Sequence, residues 1–410
     1  MGGCAARASV TRVILTALLL AAVVPPGYGQ VATPSRTVAP FQVVPNDMPF
    51  ALAHLRLNVR ALADVRAWYA ARLDGATFAA QPFVVFRSRH TFDELAADEF
   101  QAWWPLLLAE FAGDGYAWND SSSIKLLLLA QGAGGWAGGD SENGGLEHRA
   151  DAGTVNRGAL GGAVLIGDSS AAGITSGACP IDAAEDGTVW WCHWNTYRGT
   201  IAHELGHTWG LPHPDALWVS PDSARGWDCP TDGNTVMQCH WGFPNDSLLD
   251  YEVEHLRSLP YFSDMGGPPV MLVDQQPVLI DGDARFRRLD VGSDESGAVA
   301  WIDGTTGEAS SRFASWGYPW AVVAAAGSVT WSVDGFCGVF ATDVGRSRGA
   351  GGRGTARVIV DGAVIASVDL PADRPQRIAA RLCDAHQLAL RVEGQGRLRV
   401  VWGNPRIDPE

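Results

Sequence analysis

Apolar positions recur at three- and four-residue spacing through the first part of the chain. Leu62, Val65, Trp68, Tyr69 and Leu73 form one such stripe and predict a helix over residues 61–73, ended by Asp74 and Gly75. Phe83, Val84, Val85 and Phe86 predict a short buried strand, and the apolar run 124–130 predicts another. Thr91 with Glu94 three residues on is a capping-box pattern, and it opens a helix through Phe100, Trp103 and Leu107. Ala163, Val164, Leu165 and Ile166 make a further strand, and Leu249, Val253 and Leu256 place a helix over 248–259, closed by Pro260.

Beyond Gly266, Gly267, Pro268 and Pro269 the hydrophobic period falls to two. Residues 328–333 alternate, as do 387–392 and 397–402, and the runs 357–360 and 363–366 flank Asp361 and Gly362 as a tight hairpin. Many short strands joined by such turns imply a β-sandwich. The expected fold class is therefore an α/β (α+β) domain over residues 50–265, a linker over 266–272 and a β-sandwich over 273–410. Residues 30–49 carry Pro34, Pro40, Pro45 and Pro49 and read as an extended lead-in.

Composition bears on location and partners. Residues 1–29 have Arg7 and Arg12 ahead of an apolar run over 13–24, then Gly27 and Gly29 before a cut at Gln30. This is a secretory signal-peptide pattern, with an apolar run too short for a permanent span, and no later stretch is long and apolar enough to be transmembrane. Cleavage would move the net charge from −15 to −17, because the segment holds two arginines and no acid. Nucleic acid is an unsuitable partner for so acidic a chain. Cleavage also removes Cys4 and leaves Cys179, Cys192, Cys229, Cys239, Cys337 and Cys383, an even set that favours disulfides in an exported protein. Pairing of neighbours (179 with 192, 229 with 239, 337 with 383) keeps each bridge on one side of the linker, although fifteen pairings exist.

The chemistry concentrates in His203-Glu204-Leu205-Gly206-His207-Thr208-Trp209-Gly210-Leu211-Pro212-His213. His203 and His207, four residues apart, present both imidazoles from one helical face. Glu204 stands about 100° round the helix and can reach a water at the metal without ligating. Gly210 suits the left-handed position that ends a helix, after which the chain can turn and return His213 as a third ligand. Three protein ligands and one open position form the catalytic, not the structural, zinc arrangement. The bland alternatives are a helix with unrelated surface histidines, and a metal site without turnover.

This His-Glu-x-x-His-x-x-Gly-x-x-His stretch resembles the motif of the metzincin clan of zinc metallopeptidases. The resemblance implies a zinc cofactor held by His203, His207 and His213, with Glu204 as the catalytic base. It also implies a methionine turn beneath the metal, for which Met237, 24 residues after His213, is suitably placed. Some members carry a tyrosine two residues after that methionine; here the position is Cys239. The clan pairs extended substrate with an edge strand, a role that Ala163, Val164, Leu165 and Ile166 would take, although their uniform apolarity also suits an interior strand. The implied function is a secreted endopeptidase acting on proteins or glycoproteins.

Other stretches leave alternatives open. Seven glycines in residues 132–145 suggest a surface loop or a lid with Trp136. Asp140, Glu142 and Asn143 offer oxygens for calcium, but their spacing matches no EF-hand loop. Trp190, Trp191 and Trp194 are either core or pocket lining, and His240, His255 and Tyr251 are either ordinary surface groups or transition-state donors. The second half faintly resembles NPCBM-type carbohydrate-binding modules through Val360-Asp361-Gly362 and the terminal Val401-Trp402-Gly403-Asn404-Pro405-Arg406. That resemblance implies glycan stacking on exposed aromatics, for which Trp301, Trp316, Tyr318 and Trp320 are candidates. A secreted glycan-binding or adhesion protein with an idle zinc site, or a zinc hydrolase of a non-peptide amide, are the competing functions.

Overall fold

A computed structural model of the chain describes residues 36–96, 103–116, 123–130, 135–140, 146–147, 161–167, 194–212, 235–238, 242–263, 269–288, 299–303, 315–372 and 374–409. The strands are β1 (Thr37–Val44), β2 (Ala79–Ala80), β3 (Val84–Arg87), β4 (Ser123–Leu129), β5 (Gly135–Asp140), β6 (Leu146–Glu147), β7 (Ala163–Gly167), β8 (Val270–Met271), β9 (Leu279–Arg287), β10 (Ala300–Asp303), β11 (Ser315–Tyr318), β12 (Ala321–Ser332), β13 (Gly338–Arg346), β14 (Arg353–Val360), β15 (Ala363–Leu370), β16 (Gln376–Arg381), β17 (Gln387–Gln395) and β18 (Val400–Pro409). The α-helices are α1 (Leu52–Arg72), α2 (Phe92–Ala96), α3 (Trp103–Gly113), α4 (Trp194–Thr208), α5 (Asp250–Ser258) and α6 (Pro260–Ser263).

The first sheet runs β10-β11-β3-β1-β4-β7-β5-β6, with β2 also against β1. Its centre, β3-β1-β4-β7, is parallel, and antiparallel strands close it on both sides. Parallel strands are buried on both faces, which is why their sequences lack alternation. One face sends Val38, Val44, Val85, Leu126, Leu128, Val164 and Ile166 against α1 and α4. The other sends Phe41, Val43, Phe86, Leu127 and Leu165 against α3 and against Val323 and Val401 of the second sheet.

The expected lead-in is in part this sheet's central strand. Thr37–Val44 pairs in parallel with β4 on one side and with β2 and β3 on the other. Pro40, which has no N–H to donate, falls between the β2 register, ending at Val38, and the β3 register, beginning at Phe41. The glycine-rich run is likewise not all loop, because Gly135–Asp140 forms β5, antiparallel to β7.

The second sheet is antiparallel in all its pairings among the described residues. Its order is β15-β14-β17-β12-β18-β13-β16, with β8 on β18 and β9 on β12. The long strand β12 gives its second half to β17 and its first half to β18. The two wings therefore fold over a shared core of Val358, Leu388 and Leu390 against Phe340, Val344, Val400 and Trp402, the expected β-sandwich. The β14–β15 hairpin turns at Asp361 (φ 47°) and Gly362 (φ 84°), both left-handed as a two-residue hairpin turn requires.

The sheets do not divide the chain at 266–272. β8 pairs with β18, so Val270 and Met271 already belong to the sandwich, while β10 and β11 return to the first sheet beside β3. The described residues, from 36 on, form one compact unit. Cys337 and Cys383 form a disulfide, the pairing expected for them. Cys179, Cys192, Cys229 and Cys239 lie outside the described residues.

Candidate metal centre

Helix α4 is held on several sides before any chemistry is considered. From α1, Tyr69 donates its hydroxyl to the Ala202 carbonyl at 2.8 Å, buried. Tyr197 returns a bond to Asn58 Oδ1 at 2.7 Å, and Arg198 pairs with Asp64 at 2.8 Å. At its end, Trp209 packs against Tyr69, Phe78 and Phe262 with ring centroids 4.8–5.3 Å apart. Gly210 has φ 84°, its N–H bonds to the His207 carbonyl (2.9 Å), and the Leu211 N–H bonds to that of Gly206 (3.0 Å). These two bonds make a Schellman end, the left-handed glycine position expected for Gly210.

That end has a direct consequence for the site. The carbonyl of Leu211, brought back under the helix, lies 2.8 Å from His207 Nδ1. The carbonyl of Val236 lies 2.8 Å from His203 Nδ1. A carbonyl only accepts, so both Nδ1 atoms carry the proton and both lone pairs sit on Nε2. The two Nε2 atoms are 3.1 Å apart. Two neutral imidazole lone pairs converging at that distance repel one another and suit a shared cation. Glu204 offers its carboxylate within 4.8 Å of both, so the three form a cluster able to hold a metal.

His203, Glu204 and His207 are 6, 7 and 9% exposed, at the floor of the sheet's helical face. Burial raises the Glu204 carboxyl to about 8. Its Oε2 is buried and has no hydrogen-bond partner among the described residues. A buried carboxylate oxygen without a partner beside two oriented imidazoles is a donor set that could hold a metal ion. Zinc fits these nitrogens. His213 lies outside the described residues, so the third ligand remains an inference from the motif.

Beneath the helix, the turn Thr235–Gln238 positions Val236 and Met237. The Val236 N–H bonds to the Ser247 carbonyl (3.0 Å), and the Gln238 N–H to that of Thr235 (2.9 Å). Glu252 on α5 ties this turn down, accepting from the Thr235 hydroxyl (2.6 Å) and the Leu249 N–H (2.7 Å). Burial raises the Glu252 carboxyl, and those two bonds oppose the rise. Met237 is fully buried against Gly206. Glu252 and Tyr69 had no signal in the sequence beyond a helical stripe and an ordinary surface acid.

Other expected positions resolve differently. Ala163, Val164, Leu165 and Ile166 are interior, paired with β4 on one side and with β5 on the other, and fully buried. With both sides bonded they have no edge to offer substrate; β5, outside them, lies beside α4. His255 Nε2 lies 2.6 Å from the Trp209 carbonyl, so it anchors the helix end. Tyr251 is exposed on α5. Trp316 and Tyr318 are buried in the core and cannot stack on sugar. Trp301 is half-buried between Phe50 (5.9 Å) and the Arg348 guanidinium (4.6 Å). Glu142, Asn143 and His240 lie outside the described residues.

No protein family and no curated protein matches the chain. Among solved structures it is similar to wild-type OgpA from Akkermansia muciniphila, at 11% identity over 87% of this chain and 86% of that one, with a TM-score of 0.35. A second is the CBM51 of Clostridium perfringens GH95, solved with methyl-galactose, at 15% identity over 34% of this chain and 99% of that one (TM-score 0.28). A third is the M60 catalytic domain of Clostridium perfringens ZmpB with its two CBM51 domains, at 15% identity over 34% of this chain and 15% of that one (TM-score 0.28). Likeness at this level leaves the assignment of activity to the site itself.

Proposed function

We propose that this protein is a zinc-dependent endopeptidase, exported from the cell, that hydrolyses peptide bonds in proteins or glycoproteins. The observation that carries the reading is the pair of Nε2 atoms 3.1 Å apart, each fixed by a carbonyl on its Nδ1, with the unpartnered Oε2 of Glu204 beside them. His203 and His207 hold the metal through neutral nitrogens, and His213 completes the set. A bound zinc supplies Lewis acidity, polarising the scissile carbonyl and bringing the pKa of water towards ~7.

The chain's own contribution is position and proton transfer. Glu204 accepts the proton of the attacking water as its oxygen bonds to the carbonyl carbon. It then gives that proton to the departing amine nitrogen as the C–N bond breaks. A raised carboxyl pKa suits a group that must both take and return a proton near neutrality. The Val236 and Leu211 carbonyls keep the imidazoles in the ligating tautomer throughout. The reading of export is supported by Arg7 and Arg12 ahead of the apolar run 13–24 and by Gly27 and Gly29 before Gln30. No helix among the described residues is long and apolar enough to cross a membrane.

The test is a pooled library of peptides and glycopeptides incubated with the zinc-loaded parent and with Glu204→Gln, with products identified by mass spectrometry. Cleavage by the parent alone establishes the activity and its preference. No cleavage by the zinc-loaded parent would sink the peptidase reading and favour a binding protein or a hydrolase of other amides.

A further inference from the structure

Strand β9 is a border of the second sheet. It pairs with β12 along its length, and no strand pairs with its other side among the described residues. Ile280, Ala284 and Phe286 lie opposite Val329, Ala324 and Val322, which are buried in the sandwich core. The alternate positions Asp281, Asp283, Arg285 and Arg287 therefore project from the opposite face. Asp283 meets Arg285 at 3.8 Å on that face and Arg399 at 3.3 Å, with all three side chains 42–59% exposed.

The order of charge along this face is acid, acid, base, base at every second residue. Turned end for end, the strand sets a base opposite each acid. We propose that β9 pairs antiparallel with β9 of a second copy of this chain, about a two-fold axis at Ala284, to form a homodimer. Asp281 of each copy then lies opposite Arg287 of the other, and Asp283 opposite Arg285. Neighbouring registers with the same faces fail: an axis at Gly282 sets Asp281 against Asp283, and one at Phe286 sets Arg285 against Arg287. The self-complementary pattern thus specifies register and symmetry together.

A second observation concerns what the edge leaves in water. Val278, the residue before β9, and Leu279 and Ile280, its first two, are 60, 57 and 45% exposed, three consecutive large apolar residues at the start of this border strand. Unpartnered apolar edges template pairing with another chain, and natural proteins cover or blunt them. Charge on this edge selects one partner, a copy in the complementary register. A strand pair is smaller than a standard interface, so the dimer is a weak one.

The test is sedimentation velocity on the full zinc-loaded chain from ~1 to ~100 µM, a range that reaches weak association. The parent should shift from monomer to dimer, and added salt should weaken the dimer. Asp281→Arg with Asp283→Arg makes the face wholly basic, and Arg285→Asp with Arg287→Asp makes it wholly acidic. Each pair should weaken self-association at least tenfold, while an equimolar mixture of the two variants should dimerise. All four exchanges in one chain restore a self-complementary order and should restore the dimer. Thermal melting by circular dichroism shows that each variant is folded. A parent monomeric throughout the range, or a wholly acidic variant that dimerises as well as the parent, overturns the proposal.

Discussion

Met237 Sδ occupies the space that a side chain at Gly206 would need, so the buried methionine and the glycine between Glu204 and His207 on helix α4 are fitted to each other. Glycine in a helix interior ordinarily costs about 1 kcal/mol relative to alanine. Here the added methyl group would have to displace a fully buried thioether, and overpacking of that kind costs about 1–3 kcal/mol. Gly206→Ala should therefore lower stability where helix propensity alone would raise it. Urea unfolding at fixed pH decides the sign, and Gly206→Ala with Met237→Ala should lose less than the sum of the two single losses, because the methionine that the new methyl group meets is gone.

Glu204 yields a prediction in two observables. Glu204→Gln should keep zinc and lose turnover by about 10²–10⁴-fold, the range of a general base. In the metal-free protein burial pushes the carboxyl up to about 8 from its ordinary 4.5. Between those values the folded chain keeps a proton that the unfolded chain releases, so this group makes stability fall as pH rises from about 4.5 to about 8. The effect is on the order of a few kcal/mol. Glu204→Gln should flatten that part of the profile, as measured by urea unfolding in chelator across the range. Identical slopes for parent and variant would mean that the carboxyl is not buried uncharged.

How much of this was legible in the sequence depends on whether a residue acts through its neighbours in the chain. His203, Glu204, His207 and Gly210 act at helical spacing, so their geometry followed from the helix alone. The hairpin at Asp361 and Gly362 was legible for the same reason, since its turn is a local conformation. Thr37–Val44 was hidden because prolines at 34, 40, 45 and 49 imply a solvated extended segment, whereas only the offset of β2 and β3 makes Pro40 harmless in a central strand. β5 was hidden because glycine offers no alternation to read. β10 and β11 return to a sheet some 200 residues upstream in sequence, a pairing that no local pattern announces. Glu252 acts on the site only through the Thr235 turn, 17 residues away in sequence.

That indirect role of Glu252 is open to measurement. It fixes the turn whose Val236 carbonyl orients His203. Glu252→Ala should weaken zinc binding about 10–100-fold, as removal of an outer-shell partner typically does. A competition titration against a chromophoric chelator gives the affinity. Unchanged affinity, with only a stability loss, would show that the turn holds its shape without Glu252 and that His203 is oriented by packing alone.

The Cys337–Cys383 bridge closes 46 residues of the sandwich, from the start of β13 to the loop before β17. A closed loop of that length restricts the unfolded chain by up to about 4 kcal/mol in the chain-entropy account. Both cysteines join strands that contribute to one core, so their removal leaves the folded contacts of Phe340, Leu388 and Leu390 in place. Cys337→Ala with Cys383→Ala should therefore lower the unfolding free energy by about 2–4 kcal/mol and leave zinc affinity unchanged, because helix α4, which carries His203 and His207, packs Ile201, Ala202 and Leu205 into the other core. Chemical denaturation under non-reducing conditions measures the first, and chelator competition the second. A loss of zinc affinity alongside the loss of stability would show that the sandwich and the metal helix are coupled through the strands that return to the first sheet.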